Sequence, residues 1–238
     1  MSTYVLSDIH GEYDKFMRML EKIHFSDEDT LYVLGDVLDR GPHPMKILLE
    51  MMKYSNIIPM MGNHEVMGLP CLRFLLNEVT EDFVADLSKN PTILNAFLDW
   101  TYNGCHTTVS EFRQLSPEER EMVLDYLGEF ILYENFRVNG KYYVLVHGGL
   151  GGFDMEKRLE DYSIHDIVWT RPDYGKAYFN DIYVVTGHTP TQHIAGNDRP
   201  GYIYKKHNHI AIDCGACHPR GRLAAIRLDD WREYYVEK

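Results

Sequence analysis

Three apolar runs, each ending in a loop of polar and charged residues at almost equal intervals, constrain this chain more than any other feature. Tyr4-Val5-Leu6 leads to Ser7-Asp8-Ile9-His10-Gly11. Leu31-Tyr32-Val33-Leu34 leads to Gly35-Asp36-Val37-Leu38-Asp39-Arg40-Gly41, and Ile57-Ile58-Pro59-Met60-Met61 leads to Gly62-Asn63-His64-Glu65. Asp8 and Asp36 are 28 residues apart, Asp36 and Asn63 are 27. Between the runs, Tyr13, Phe16, Met17, Leu20 and Ile23, then Met45, Leu48, Leu49 and Met52, recur at helical spacing. That interval fits two successive βαβ units, whose strands are parallel and whose loops lie along one edge of a sheet. Three polar clusters distant in sequence therefore converge.

The texture changes over residues 69–133, where leucines, aromatics and charges recur at helical periods, with Pro91 and Pro117 near helix starts. This stretch is expected to be a helical insertion that walls or caps the site. Its Cys71, Trp100, Cys105 and His106 have no spacing partners and are assigned to packing. Strand character resumes at Tyr142-Tyr143-Val144-Leu145-Val146, which delivers His147-Gly148-Gly149. Ile182-Tyr183-Val184-Val185-Thr186 delivers Gly187-His188-Thr189-Pro190. Short strand candidates at residues 202–204, 209–212, 223–228 and 231–236 predict an antiparallel second sheet packed on the first.

At 238 residues, 45% hydrophobic and 25% charged, the chain is expected to form one globular domain over residues 1–238. A net charge of −12 argues against a general nucleic-acid binder or an anionic-membrane binder. No apolar run approaches a membrane span, and the first residues lack the pattern of a signal peptide. Four cysteines make no disulfide framework. A cytoplasmic enzyme is the expectation.

The strand-end residues Asp8, His10, Asp36, Asn63, His147 and His188 form a mixed oxygen and nitrogen set. Such a set suits Mn, Fe or Zn better than Mg or Ca. Asp36 is the natural bridge, because its two oxygens can serve two cations. Asp8, His10 and Asp36 would hold one ion; Asp36, Asn63, His147 and His188 the other. Two divalent ions, most readily Mn²⁺, at roughly 3.5–4 Å polarise a phosphoryl oxygen and turn a bridging water into a hydroxide nucleophile. Arg40 is expected to clamp the anionic substrate with its guanidinium fork, joined by Arg171 and by Asn63. His64 is placed as the general acid, with Asp39 accepting from its other ring nitrogen. No residue suggests a covalent intermediate.

Asp8-x-His10, Gly35-Asp36-x-x-Asp39-Arg40-Gly41, Gly62-Asn63-His64-Glu65, His147-Gly148-Gly149 and Gly187-His188-Thr189 resemble the motifs of the PPP family. These are the metal-dependent serine/threonine protein phosphatases of the calcineurin-like metallophosphoesterase superfamily. The resemblance runs from residue 4 to about residue 228. It implies a four-layer α/β fold: a central β-sandwich of two mixed sheets flanked by helices, with a dinuclear metal site at strand C-terminal ends. It also implies that Asp8, His10, Asp36, Asn63, His147 and His188 bind metal, and that His64, Asp39 and Arg40 carry the chemistry. Compact size and Trp169-Thr170-Arg171 resemble the bacterial and bacteriophage branch that includes lambda phosphatase, which extends the assignment to Arg171. Ile212-Asp213-Cys214-Gly215-Ala216 resembles that branch's late strand beside the site.

The leading expectation is hydrolysis of protein phosphoserine and phosphothreonine, with a phosphoprotein or phosphopeptide as partner and neither nucleic acid nor membrane. The alternative is hydrolysis of a dinucleoside polyphosphate such as diadenosine tetraphosphate. The corresponding bacterial branch resembles Gly-Asp-x-x-Ala-Arg-Gly, so Asp39 favours the phosphatase. A non-catalytic scaffold is the third reading, against which stands a complete set of ligands and acid. Cys214-x-x-Cys217-His218 nominally spells a haem-attachment or redox motif, but its context fits neither. His193 and His218 are left as ordinary.

Overall fold

A computed structural model describes residues 1–76 and 91–237. The chain opens with strand β1 (Thr3–Leu6), helix α1 (Tyr13–Lys22), β2 (Thr30–Val33), α2 (Pro44–Met51), β3 (Ile57–Pro59) and α3 (Asn63–Phe74). β1, β2 and β3 are parallel neighbours, with Leu6 opposite Val33 and Val33 opposite Pro59. This is the double βαβ unit expected from the spacing. Successive side chains of β1 point to opposite faces. Tyr4 and Leu6 pack with Phe16 and Met19 of α1 and Leu48 and Met51 of α2, while Val5 faces the other way.

The second half supplies β4 (Tyr133–Val138), β5 (Lys141–Val146), β6 (Ile182–Thr186), β7 (Tyr204–Lys206), β8 (His209–Ala211), β9 (Leu223–Arg227) and β10 (Arg232–Val236). Two five-stranded mixed sheets result, ordered β10-β9-β1-β2-β3 and β4-β5-β6-β8-β7. Val5, Leu34 and Met60 from the first meet Tyr143, Leu145, Val185 and Ile210 from the second in one buried cluster between them. Val144, Val146 and Val184 face outward onto Ile167 and Val168. The sandwich of two mixed sheets with flanking helices is therefore the observed architecture.

One detail differs from expectation. The C-terminal strands do not make a separate antiparallel sheet. β9 and β10 extend the first sheet antiparallel to β1, whereas β8 joins the second sheet parallel to β6. β8 is buried at all three residues, as an interior parallel strand must be. Strand patterning marks a face to be buried; it does not name the neighbour that buries it.

The expected helical insertion contains part of α3, α4 (Pro91–Tyr102), α5 (His106–Gln114) and α6 (Pro117–Gly128); its residues 77–90 lie outside the described residues. Pro91 and Pro117 do stand at helix starts. At α6, Ser116 Oγ accepts the Glu119 N–H at 3.2 Å while Glu119 accepts the Ser116 N–H at 2.8 Å, a reciprocal cap that contributes about 1 kcal/mol. Trp100, Phe112, Val123 and Leu127 bury themselves in the helix-side core of the first sheet. No helix of the described residues is long and apolar enough to cross a membrane.

Candidate metal centre

Every expected ligand stands just beyond the C-terminal end of a strand. Asp8 and His10 follow β1, Asp36 follows β2, Asn63 opens α3 after β3, His147 follows β5 and His188 follows β6. The backbone there is unusual. Asp8 (φ 52°), His10 (46°), Asp36 (54°), Asp39 (71°), Arg40 (67°) and His188 (59°) all occupy the left-handed region. Such conformations cost roughly 1–3 kcal/mol each and persist only where surrounding structure over-determines them.

Here that structure is the stitching of one loop to the next. The N–H groups of Asp8, His10 and Gly11 donate to the carbonyls of Gly35, Asp36 and Val37, and Gly41 N–H donates back to His10 O. Gly41 lies so close to the His10 carbonyl that a side chain could not fit. Beneath the loop, the buried carboxylate of Glu65 accepts the N–H groups of Asp36 (2.8 Å), Val37 (2.8 Å), Leu38 (3.1 Å) and Gly62 (2.9 Å). Glu65 closes the Gly62-Asn63-His64-Glu65 motif, whose residues by themselves assign it no role. The available signal was its place three residues after Gly62, where a glutamate caps its own helix.

Asp36 is central. Its Oδ1 lies 3.3 Å from His147 Nε2 and its Oδ2 lies 3.6 Å from His10 Nε2. His10 Nδ1 bonds Leu38 O at 2.8 Å and His147 Nδ1 bonds Leu34 O at 2.5 Å. A carbonyl only accepts, so each Nδ1 carries a proton, and each ring, once it has given up any proton on Nε2, presents that nitrogen's lone pair. Two imidazole nitrogens thus face the two oxygens of one carboxylate, an arrangement that calls for positive charge, a proton or a cation, on either side of Asp36. Ligand atoms of His10, Asp36 and His64 lie within 4.8 Å of one another, as do those of Asp36, His147 and His188. Asn63 Oδ1 adds an oxygen 3.1 Å from His147 Nε2. The donor set fits two divalent ions bridged by Asp36. Asp8 lies in the same cleft, where its carboxylate accepts the His188 N–H at 3.0 and 3.2 Å and the Ser7 hydroxyl.

Electrostatics follow the same geometry. Burial opposes the charge of Asp36, yet His147, His64 and His10 outweigh it and hold the carboxyl well below its usual range. Burial likewise opposes charge on His147, but Asp36 and Asp8 raise it to about 10. Burial, with His147 and Arg171 nearby, pushes His188 down to about 3. Burial and then Asp213 raise Asp8 well above its usual value.

His64 is fully buried, and its Nδ1 lies 2.6 Å from Asp39 Oδ2. Arg40 is exposed at the lip, with Nη1 donating to His10 Nε2 (2.7 Å) and Nη2 to His64 Nε2 (2.9 Å). Exposed Arg171, on the loop after helix α7 (Ile164–Val168), lines the same cleft of about 520 Å³. All ten expected site residues are thus brought to one region. His193, Cys217 and His218, set aside on sequence, also line this cleft. The four cysteines are free, with Cys214 buried and its thiol pushed up by that burial. Trp100 is buried as packing requires, yet its indole N–H is bonded to Asp39.

A family profile described as calcineurin-like phosphoesterase matches residues 1–215. An asymmetrical bis(5'-nucleosyl)-tetraphosphatase PrpE of Halalkalibacterium halodurans is 26% identical, the match covering 95% of this chain and 89% of that protein. Its namesake from Geobacillus thermodenitrificans is 28% identical over 95% of this chain and 90% of that protein. Among solved structures, a protein serine/threonine phosphatase from Saccharomyces cerevisiae superposes with a TM-score of 0.61 at 15% identity, covering all 100% of this chain and 81% of the other. At that identity the likeness is one of fold. Sequence relatives of near full length therefore carry a nucleotide-hydrolase name rather than that of the lambda-phosphatase branch expected above.

Proposed function

The chain belongs to the calcineurin-like phosphoesterase family, and from that premise we propose that it hydrolyses dinucleoside polyphosphates such as diadenosine tetraphosphate. The observation that carries this reading is the near-full-length match to two bis(5'-nucleosyl)-tetraphosphatases. The cleft supports it. Exposed Arg40 and Arg171 line the cleft beside the Asp36 cluster, a pair of guanidiniums suited to an anionic chain of several phosphates.

Two divalent cations, held by Asp8, His10, Asp36, Asn63, His147 and His188 and most readily Mn²⁺, would supply Lewis-acid polarisation and an activated water. The chain's own residues do the rest. Arg40 and Arg171 neutralise charge on the non-reacting oxygens. Once Arg40 is drawn onto the substrate's phosphate, His64 Nε2, released from that guanidinium, would carry the proton that goes to the departing oxygen. Asp39 fixes the ring from behind.

One observation favours a second reading, hydrolysis of protein phosphoserine and phosphothreonine. The His64–Asp39 pair at 2.6 Å is a fully built proton donor. An anhydride departs as a phosphate whose second pKa is about 6 and which needs little help. An alkyl ester departs as a strongly basic alkoxide and needs the proton.

The test measures kcat/KM with Mn²⁺ on diadenosine tetraphosphate and on a phosphothreonine peptide, with His64→Asn alongside. Faster cleavage of the dinucleotide upholds the proposal; faster cleavage of the peptide replaces it with the second reading at the same site. His64→Asn is expected to slow peptide cleavage by roughly 10²–10⁴-fold and dinucleotide cleavage by less. If wild type cleaves neither and chelation leaves its action on an aryl phosphate unchanged, the metal-centre assignment falls as well.

A further inference from the structure

Asp39 carries two oxygens, and the helical insertion claims a share of both. The Trp100 indole N–H of α4 donates to Oδ2 at 2.7 Å, the same oxygen that meets His64 Nδ1. The Thr108 hydroxyl of α5 donates to Oδ1 at 2.5 Å, and its oxygen accepts the Asp39 N–H at 2.9 Å. Asp39, Trp100 and Thr108 are all fully buried. The reciprocal bond with Thr108 fixes the carboxylate plane relative to its own backbone, and Trp100 fixes it from the second side.

Packing alone would not call for this arrangement. A phenylalanine fills most of the volume of an indole, but only the indole brings an N–H to the carboxylate. The insertion also grips the rest of the loop. Gly104 O accepts the Arg40 N–H at 3.1 Å, and Glu111 of α5 accepts the Met45 N–H at 2.9 Å and bonds His43 Nδ1 at 2.7 Å.

We propose that Trp100 and Thr108 are positioning residues for leaving-group protonation, holding Asp39 so that His64 keeps its Nδ1 proton and aims Nε2 into the cleft. This rests on the reading of the chain as a phosphoester or phosphoanhydride hydrolase with His64 as its acid. The carboxylate already accepts from an N–H and an O–H, so the ring nitrogen facing it must donate too. Nε2 is thereby the nitrogen that exchanges protons with substrate. As water oxygen bonds to phosphorus and the P–O bond breaks, the electron pair passes to the leaving oxygen. That oxygen takes the Nε2 proton, and the ring returns to its neutral Nδ1–H form. With Trp100 or Thr108 lost, Asp39 can turn, the ring loses its reference, and the proton arrives late. The insertion, 61 and 69 residues distant from Asp39, thus becomes part of the acid.

The experiment compares metal-loaded wild type, Trp100→Phe, Thr108→Val and Thr108→Ser on two esters. One is 4-nitrophenyl phosphate, whose leaving group needs no proton; the other is glycerol phosphate, whose alkoxide does. Trp100→Phe and Thr108→Val are expected to lower kcat on the alkyl ester roughly 10- to 100-fold, with KM unchanged and only about 2-fold loss on the aryl ester. Thr108→Ser keeps the hydroxyl and restores the alkyl ester activity. His64→Asn, run in parallel, shows the same ester discrimination in stronger form. Equal losses on both esters, or none, in Trp100→Phe and Thr108→Val while His64→Asn still discriminates would overturn this inference alone. Absence of discrimination in His64→Asn would remove the acid assignment itself. A readout without turnover is the proton resonance of His64 Nδ1–H in metal-free protein. It should be sharp and slow to exchange in wild type and Thr108→Ser, and broadened in Thr108→Val, which is nearly isosteric and retains the fold. An unchanged resonance in Thr108→Val counts against the proposal.

Discussion

Asp36 and Asp39 are three residues apart on one loop, yet they answer to different regions of the molecule. Asp36 faces imidazoles delivered by the strand ends, and its two oxygens look toward His147 and His10. Asp39 turns the other way, toward Trp100 and Thr108 of the helical insertion. The first region is built by repetition: parallel strands bring similar loops to one edge, and backbone bonds tie each loop to the next. The second is built by a graft that fills its acceptors from afar. On the proposed mechanism, a site assembled in this way separates two tasks, charge gathering and proton placement, into parts that can be disturbed one at a time.

The sharpest test of that separation changes each carboxylate in turn. Asp36→Asn should lower turnover by about 10³-fold or more and reduce bound metal in elemental analysis, because the carboxylate proposed to bridge two ions loses one of its oxygens. Asp39→Asn should retain the metal and lose roughly 10²-fold, mostly on substrates with basic leaving groups. Loss of metal from Asp39→Asn would break the division between the regions.

Glu65→Gln comes next. An amide cannot accept four N–H groups as a carboxylate does, and it turns its own N–H toward donors. A loss of about 3 kcal/mol in urea unfolding is expected, with metal affinity weakened because the Asp36 loop loosens.

A pH experiment probes the strand-end region alone. In metal-free protein Asp36 raises His147 from 6.5 to about 10, against the opposing effect of burial. A group whose folded value is raised stabilises fully below its unfolded value and loses that contribution as pH climbs through the folded one. Thermal stability of chelator-treated protein should therefore fall between pH 6.5 and about 10, whereas metal-loaded protein, its imidazole already neutral, should show a flatter profile. Parallel profiles in both forms would disprove the assignment.

Glu111→Gln is expected to have the smallest effect, about 1 kcal/mol, by weakening the grip on His43 and the start of α2. Metal content should stay unchanged.

Much of the first region could be read from the chain. The βαβ spacing, the strand-end positions of Asp8, His10, Asp36, Asn63, His147 and His188, and the pairing of His64 with Asp39 all stand in the structure. These features are local: a strand, a turn and an amphipathic helix are written by side-chain periods of two and 3.6 within a short window. The substrate was a different matter. Asp39 pointed toward protein phosphatases, while relatives spanning 95% of the chain carry a nucleotide-hydrolase name. One residue in a shared catalytic core says little about what lies at the rim, where His193 and His218 face the cleft.

Residue types, their order and their intervals determined a parallel strand core and the donors at its edge, because backbone periodicity is a property of neighbours in sequence. Tertiary structure alone decided that β8 and β9 enter different sheets, that Glu65 anchors the Asp36 loop, and that an indole 61 residues away holds Asp39. Those choices are set by which buried donors and acceptors can be satisfied together once the core has packed. A buried polar group constrains its partner through space and leaves no period along the chain.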